Sequence, residues 1–204
     1  HVDEIVCISP YHAKYFEKTY GITDTTVIDL PVRVDDYNKD LPKPVDNRLI
    51  FSSVPDRGLN NLWRMWPSLR SEVPDISLVI TSDYRLWGAP GAQNEQHKMK
   101  WLSHEGIEFI GAVPRKRLIE EQLKAELLIY PCIYDELFCI SVAEAQASGV
   151  YPVTSEFGSL RTTNMGAIIK GDPRDPGWVS KFSDTVVDLL NMDDLDKIRE
   201  NTRH

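Results

Sequence analysis

The sequence predicts an α/β protein built on a doubly wound, Rossmann-like parallel sheet. Short apolar or β-branched runs alternate along the chain with longer stretches of helical period, which is the pattern of βα units. The chain has 204 residues, 42% hydrophobic and 26% charged, enough to bury one large core and close to ordinary globular usage. No internal repeat or low-complexity tract interrupts the alternation.

Strands are expected at 4–9, 26–30, 48–53, 76–81, 107–110, 126–130, 151–154 and 167–170. Between them, Tyr11, Tyr15 and Phe16 share one side of a helix over 11–20. Leu62, Trp63, Trp66 and Leu69 recur at helical spacing over 60–72, with the two tryptophans expected to pack helix against sheet. Pro67 should interrupt and kink that helix, because its ring removes an internal N–H and crowds the preceding turn. Further helices are expected around 98–102, at Ile119 and Leu123, over 140–148, and from Asp184 onward, where Val187, Leu190, Leu195 and Ile198 suggest closing helices.

Between Leu30 and Arg48 the chain carries Pro31, Pro42 and Pro44 among aspartates, with almost no apolar periodicity, the composition of an interdomain linker. A boundary near residue 40 follows: 1–44 as the end of a preceding domain plus linker, 45–190 as the main domain, and 191–204 as a closing helix and tail. The chain starts with His1 and runs at once into a strand, so it is expected to be part of a longer protein.

Charge and cysteine usage narrow the function. The formal net charge of −8 disfavours a nucleic-acid role. Cys7, Cys132 and Cys139 lack any C-x-x-C or Cys/His ligand spacing and read as buried thiols of a reducing compartment. There is no apolar run of spanning length and no signal peptide, so a cytoplasmic location without an integral membrane segment is expected. No metal site is expected: Asp194-x-Asp196 lies in a polar tail instead of after a strand, and His97 and His104 have no third ligand.

In a doubly wound sheet, ligands bind outside the carboxyl ends of the strands. After the strand at 48–53 the loop reads SSVPDRGLNNL, placing Arg57 and Gly58 at the mouth of a helix. A glycine there lets backbone approach an anion, the helix start offers unpaired N–H groups, and the guanidinium is a bidentate phosphate donor. After 126–130 the loop PCIYDELFCISVAEAQASG carries Glu136 and Glu144, eight positions apart. Eight helical rises span about 12 Å, so the two carboxylates are expected to mark the ends of an extended ligand. A solvated Glu144 and a Glu136 that only complements a helix dipole are the competing readings.

The stretch ELFCISVAEAQASGVYPVTS resembles the E-x7-E signature of family 4 glycosyltransferases with the GT-B fold. SSVPDRGLNNLWRMWPSLRSEVPDISLVI is similar to that family's phosphate loop with its helix and strand, GIEFIGAVPRKRL and AELLIYP to the next two strands, and MGAIIKGDPRDPGWVSKFSDTVVDLL to the approach to the closing helix. DEIVCISPYHAKYF and TVIDLPVRVDDYN resemble the end of the amino-terminal domain and the crossover. The resemblance implies the carboxy-terminal, donor-binding domain of an enzyme of polysaccharide biosynthesis. Such an enzyme transfers a hexose or deoxyhexose such as rhamnose, with retention, from a UDP- or GDP-sugar to a glycan or other hydroxyl acceptor, without a metal or other cofactor.

By the same resemblance, Arg57 and Glu136 are the catalytic pair, Arg57 meeting the diphosphate and Glu136 the sugar hydroxyls. Gly58 and the backbone N–H groups of Phe138, Cys139 and Ile140 face sugar and phosphates, Glu144 holds the ribose, and the loop 111–115 with Gly111 and Val113 borders the base. The chain departs from the pattern where Ser52 and Ser53 replace a basic residue, where Leu137 and Cys139 replace glycines, and where Arg161 or Thr162 stands in the region of a frequent glutamate. The rest of an amino-terminal domain, or a partner subunit, is expected to complete it, with Tyr11 and His12 at the junction. A non-catalytic nucleotide-sugar-binding module and a nucleotide-sugar epimerase or hydrolase are the alternatives.

Overall fold

The computed structural model describes residues 3–37, 44–88 and 91–203, the side chains of 91–94 and 97 excepted. Strands β1 (Val6–Cys7) and β2 (Thr26–Val27) flank α1 (Pro10–Tyr20). The main sheet follows as β3 (Arg48–Phe51), α2 (Leu59–Glu72), β4 (Ser77–Ile80), α3 (Gly91–Leu102), β5 (Ile107–Phe109), α4 (Arg115–Lys124) and β6 (Leu127–Tyr130). It continues through α5 (Ile140–Ala147), β7 (Tyr151–Ser155), α6 (Leu160–Thr163), β8 (Ala167–Ile169), α7 (Pro176–Leu190) and α8 (Leu195–Asn201).

Each of these strands falls on a run expected from the sequence, β7 ending one residue beyond it. β1 and β2 form a two-stranded parallel sheet, and the remaining six strands pair in the order β5-β4-β3-β6-β7-β8, all parallel. Parallel strands covered on both faces need apolar side chains at every position, and β6 (LLIY) is buried at all four. The order reverses between β3 and β6, where Leu49 pairs with Leu127 and Ile50 with Leu128. That reversal opens a crevice at the carboxyl ends of the two strands.

Three expectations change. The helix α2 runs uninterrupted from Leu59 to Glu72 through Pro67, which is exposed, so water can meet the carbonyl that the ring leaves without an N–H partner. Trp66 is buried and donates to the Glu105 carbonyl (3.0 Å), and Trp63, partly buried against the same core, also packs edge-on against Trp101 of α3 and against His104. The first closing helix starts at Pro176, well before Asp184, because the Asp175 side chain caps it by accepting the Gly177 N–H (2.7 Å).

The presumed linker is partly docked. Residues Val34–Tyr37 form a 3-10 turn, and Tyr37 is fully buried against Ile119 and Leu123 of α4, its hydroxyl donating to Gln122 (2.8 Å). One aromatic side chain among aspartates leaves no periodic signal, yet it anchors the turn. Arg203 donates to the Tyr37 carbonyl (2.8 Å), tying the far end of the chain to it. The boundary expected near residue 40 lies outside the described residues.

Cys7, Cys132 and Cys139 are buried and unpaired. Burial pushes the Cys132 thiol from about 9 to about 12. At pH 8 such a thiol is thiolate to roughly one part in ten thousand, so Cys132 of the native chain should barely react with a disulfide reagent, while urea-unfolded chain should titrate all its thiols. Since the folded pKa lies above the unfolded one, this group's contribution to stability is complete below pH 9 and is lost as pH rises toward 12. Urea titrations at pH 8 and pH 11 check the sign.

Candidate active site

Two loops meet over the β3/β6 crevice. The first leaves β3 and closes in a 3-10 turn, Pro55–Arg57, after which Gly58 starts α2 with φ 114°. A β-carbon on Gly58 would run into the Pro131 carbonyl, 2.7 Å from its carbon, and Asn61 donates to the same carbonyl (3.3 Å). The glycine is therefore required by contact between the two loops, a reason the sequence pattern alone did not supply.

That contact sets Arg57 beside the second loop, where its guanidinium forms an ion pair with Glu136 and lies 5.5 Å from the centre of the Tyr134 ring. Glu136 is only 7% exposed, so its charge is sequestered with that of Arg57. Tyr130, the last residue of β6, donates its hydroxyl to Glu136, the Ser53 hydroxyl lies 3.3 Å behind the Tyr130 oxygen, and the Cys132 sulfur is 3.7 Å from the carboxylate. Burial pulls the Arg57 pKa down, but the hydrogen bond and charge of Glu136 outweigh it and the net shift is upward. Burial first, then the neighbouring thiols and Glu136, push the Tyr130 phenol well up. Tyr130 therefore enters as a neutral donor.

The second carboxylate has its own cation. Glu144, on the second turn of α5, is ion-paired with Arg115 at the start of α4 and is 14% exposed. Arg115 also reaches Asp36 and the Tyr37 hydroxyl, each at 3.4 Å. The docked crossover turn thus contributes to the surroundings of Glu144. Sequence reasoning missed Arg115 in this role, and Tyr130 and Tyr37 altogether, because each pairing joins residues far apart in the chain.

The helix between the two glutamates starts where the sequence reading places it, at 140. That helix, α5, has Cys139 as its cap, so Glu136 sits in a loop before it and the 12 Å figure does not describe their separation. Among the described residues no acceptor meets the N–H groups of Phe138, Cys139 or Ile140. The Ser52 hydroxyl, just past the end of β3, is also buried without a partner among the described residues, while the Ser52 carbonyl accepts from Ser141 (3.3 Å). Unsatisfied donors at a helix start favour an anion.

Gly111 and Val113 follow β5 on the same side of the sheet. Gly111 lies against Asp83, which accepts the Ala112 N–H (2.9 Å) and pairs with Arg85. Burial raises the Asp83 pKa, but these bonds outweigh it and hold the carboxylate ionised. Asp83, Arg85, Lys98 and Gly111 help to line a pocket of about 320 Å³ beside this loop. Among the described residues no group of three His, Cys, Asp or Glu side chains converges as a metal site. Asp196 instead pairs with Arg199 (2.9 Å), and the His97 side chain lies outside the described residues.

Among the described residues no helix is long and apolar enough to cross a membrane. The chain is 23% identical over 161 residues to the glycosyltransferase YqgM of Bacillus subtilis, covering 78% of this chain and 43% of that protein. Its fold matches a glycosyltransferase from Rickettsia africae with a TM-score of 0.78 at 17% identity, covering 98% of this chain and 57% of the other. It also matches Anabaena Alr3699/HepE in complex with UDP and glucose, with a TM-score of 0.75 at 14% identity, covering 99% and 57%. The fold is thus the one these glycosyltransferases share, and the chain spans less than half the length of the curated relatives it matches. The pattern of the family Glycosyl transferases group 1 matches residues 35–203, from the crossover turn to the end of α8, and the chain belongs to that family.

Proposed function

We propose that the chain is the donor-binding part, 45–190 with its closing helix, of a glycosyltransferase that passes a hexose or deoxyhexose from a UDP- or GDP-sugar to a hydroxyl acceptor. The observation that carries this reading is a pair of sequestered carboxylates, each held by an arginine, on either side of the unsatisfied N-terminus of α5. A fold neighbour bound to UDP and glucose supports it. In this reading the diphosphate takes Arg57 and the N–H groups of Phe138, Cys139 and Ile140, and the Ser52 hydroxyl gains a partner.

Arg57 then shares itself between phosphate and Glu136, which turns its freed oxygen to the sugar hydroxyls while Tyr130 keeps it in place. Glu144 accepts from the ribose, and Gly111 and Val113 border the base. Arg57 and the helix N-terminus stabilise the charge growing on the leaving diphosphate, which needs no metal. Front-face displacement with retention, and membership of family 4 with its E-x7-E motif, belong to the same proposal. So do a cytoplasmic location, a role in polysaccharide synthesis and a further domain or subunit that closes over the donor.

The test compares UDP with a UDP-hexose by calorimetry in EDTA. Glu144→Ala should weaken both by about 10- to 150-fold, the loss of a charged hydrogen bond of roughly 1.5–3 kcal/mol. Glu136→Ala should weaken only the sugar conjugate and leave UDP unchanged or tighter, because a competitor for Arg57 is gone. Equal losses for UDP in the two variants, or binding that requires added Mg²⁺ or Mn²⁺, would overturn the arrangement. The chain should also bind donor more readily than it transfers sugar, since closure supplies water exclusion and acceptor placement; turnover at about 1 s⁻¹ by this chain alone contradicts that.

A further inference from the structure

A second opening lies on the other side of Glu136. Gly158 passes so close over the Glu136 backbone that a β-carbon there would strike its N and O atoms, and Ser159 donates to the Glu136 carbonyl (2.7 Å). On the opposite wall, the Ser9 hydroxyl at the cap of α1 donates to the Leu137 carbonyl. Between these contacts run two adjoining pockets of about 390 and 450 Å³ that share Tyr11, Asp135, Gly158 and Arg161. Tyr11, expected at the junction, is half-buried, and burial first and then the Asp135 carboxylate push its phenol up.

The cleft is polarised. One pocket is lined by Asp135, by Glu156, which pairs with Arg161, and by Asp172, which pairs with Arg174; the other is lined by Lys14, Lys18, Arg161 and Asp135, with Tyr15 beside them. Lys14 and Lys18 are one helical turn apart on α1, and no carboxylate of the described residues pairs with either. A cationic pocket is unexpected in a chain of net charge −8. Carboxylates accept hydrogen bonds from hydroxyls, and paired ammonium groups hold an anion.

We propose that this cleft takes the acceptor, and that the acceptor is a sugar or polyol bearing an anionic group, phosphate or carboxylate. Its hydroxyls meet Asp135, Glu156 and Asp172 beside Glu136, and its anion meets Lys14 and Lys18. The assignment as acceptor site rests on the donor reading above, while the anion site itself does not.

Calorimetry of the chain with glycerol 1-phosphate, glucuronate and glucose, each with and without saturating UDP, separates the two. The charged probes are expected to bind at least tenfold more tightly than glucose, and the stronger of the two identifies phosphate or carboxylate. The double variant Lys14→Gln/Lys18→Gln should weaken them at least fivefold while UDP affinity stays within twofold, and Arg161→Gln provides an independent second lesion. Both sets of substitutions are at exposed side chains, and thermal unfolding verifies the fold. Equal affinity for glucose and the anions, or anion affinity unchanged in both variants, overturns the site. Anion binding that survives while UDP fails to bind keeps the site and removes its role as acceptor cleft.

Discussion

Gly58→Ala is expected to destabilise the chain by about 2–6 kcal/mol, the sum of backbone strain and of a forced contact in a packed interior. Both causes are explicit at this position. The residue holds φ 114°, which side chains of L-residues rarely adopt, and the added methyl group meets the Pro131 carbonyl, backbone that has no rotamer to give. For a domain of this size each kcal/mol moves the melting temperature by about 2–4 °C, so a fall of roughly 10 °C is expected. Gly21→Ala is the control: its φ is 67° but nothing lies within 4 Å, so only the backbone part, about 1 kcal/mol, should appear. Urea unfolding of both variants measures the difference; equal losses would mean that the contact between the two loops is not what requires Gly58.

Arg57→Ala is expected to weaken UDP binding as strongly as the loss of Glu144 does, and to cost stability as well. The guanidinium is the cation beside Glu136 at the crevice mouth, and a bidentate phosphate contact is worth about 1.5–3 kcal/mol, or about 10- to 150-fold in affinity for UDP. The substitution also strands Glu136, which is 7% exposed, without its cation. Breaking a buried pair costs about 3–5 kcal/mol, and this pair should cost less because the Arg57 side chain is 31% exposed. Adding Glu136→Gln removes the stranded charge. The double variant should therefore regain stability over Arg57→Ala without regaining UDP affinity, a split that thermal unfolding and calorimetry read separately.

The sheet was legible because its strands are buried on both faces and therefore spell continuous apolar runs, as LLIY does in β6. Helix starts fixed by a capping side chain, as at Asp175, were less visible, because a cap is one residue and not a period. The 3-10 turns at Val34–Tyr37, Pro55–Arg57 and Tyr84–Trp87 are too short to carry any period. At the site, the sequence picked out Arg57, Glu136 and Glu144 through motif spacing. It did not show that Arg57 and Glu136 form one ion pair, or that Arg115 closes on Glu144, since the sheet order brings those loops together and local pattern does not record it. The start of α5 at Ile140 was legible, but the 12 Å separation was not, because it applies a helical rise to the four residues that precede the helix.

A nucleoside diphosphate should bind over the β3/β6 crevice, against Arg57 and the start of α5. Amide-resolved NMR of the chain titrated with UDP in EDTA reads this residue by residue. Saturable shifts are expected at Gly58, Phe138, Cys139 and Ile140, with smaller ones at Gly111 and Val113, and the four large shifts should vanish in Arg57→Ala. Shifts confined to another face of the sheet, or none at UDP concentrations of about 10 mM, where even a ligand with a Kd of about 1 mM is mostly bound, would contradict it.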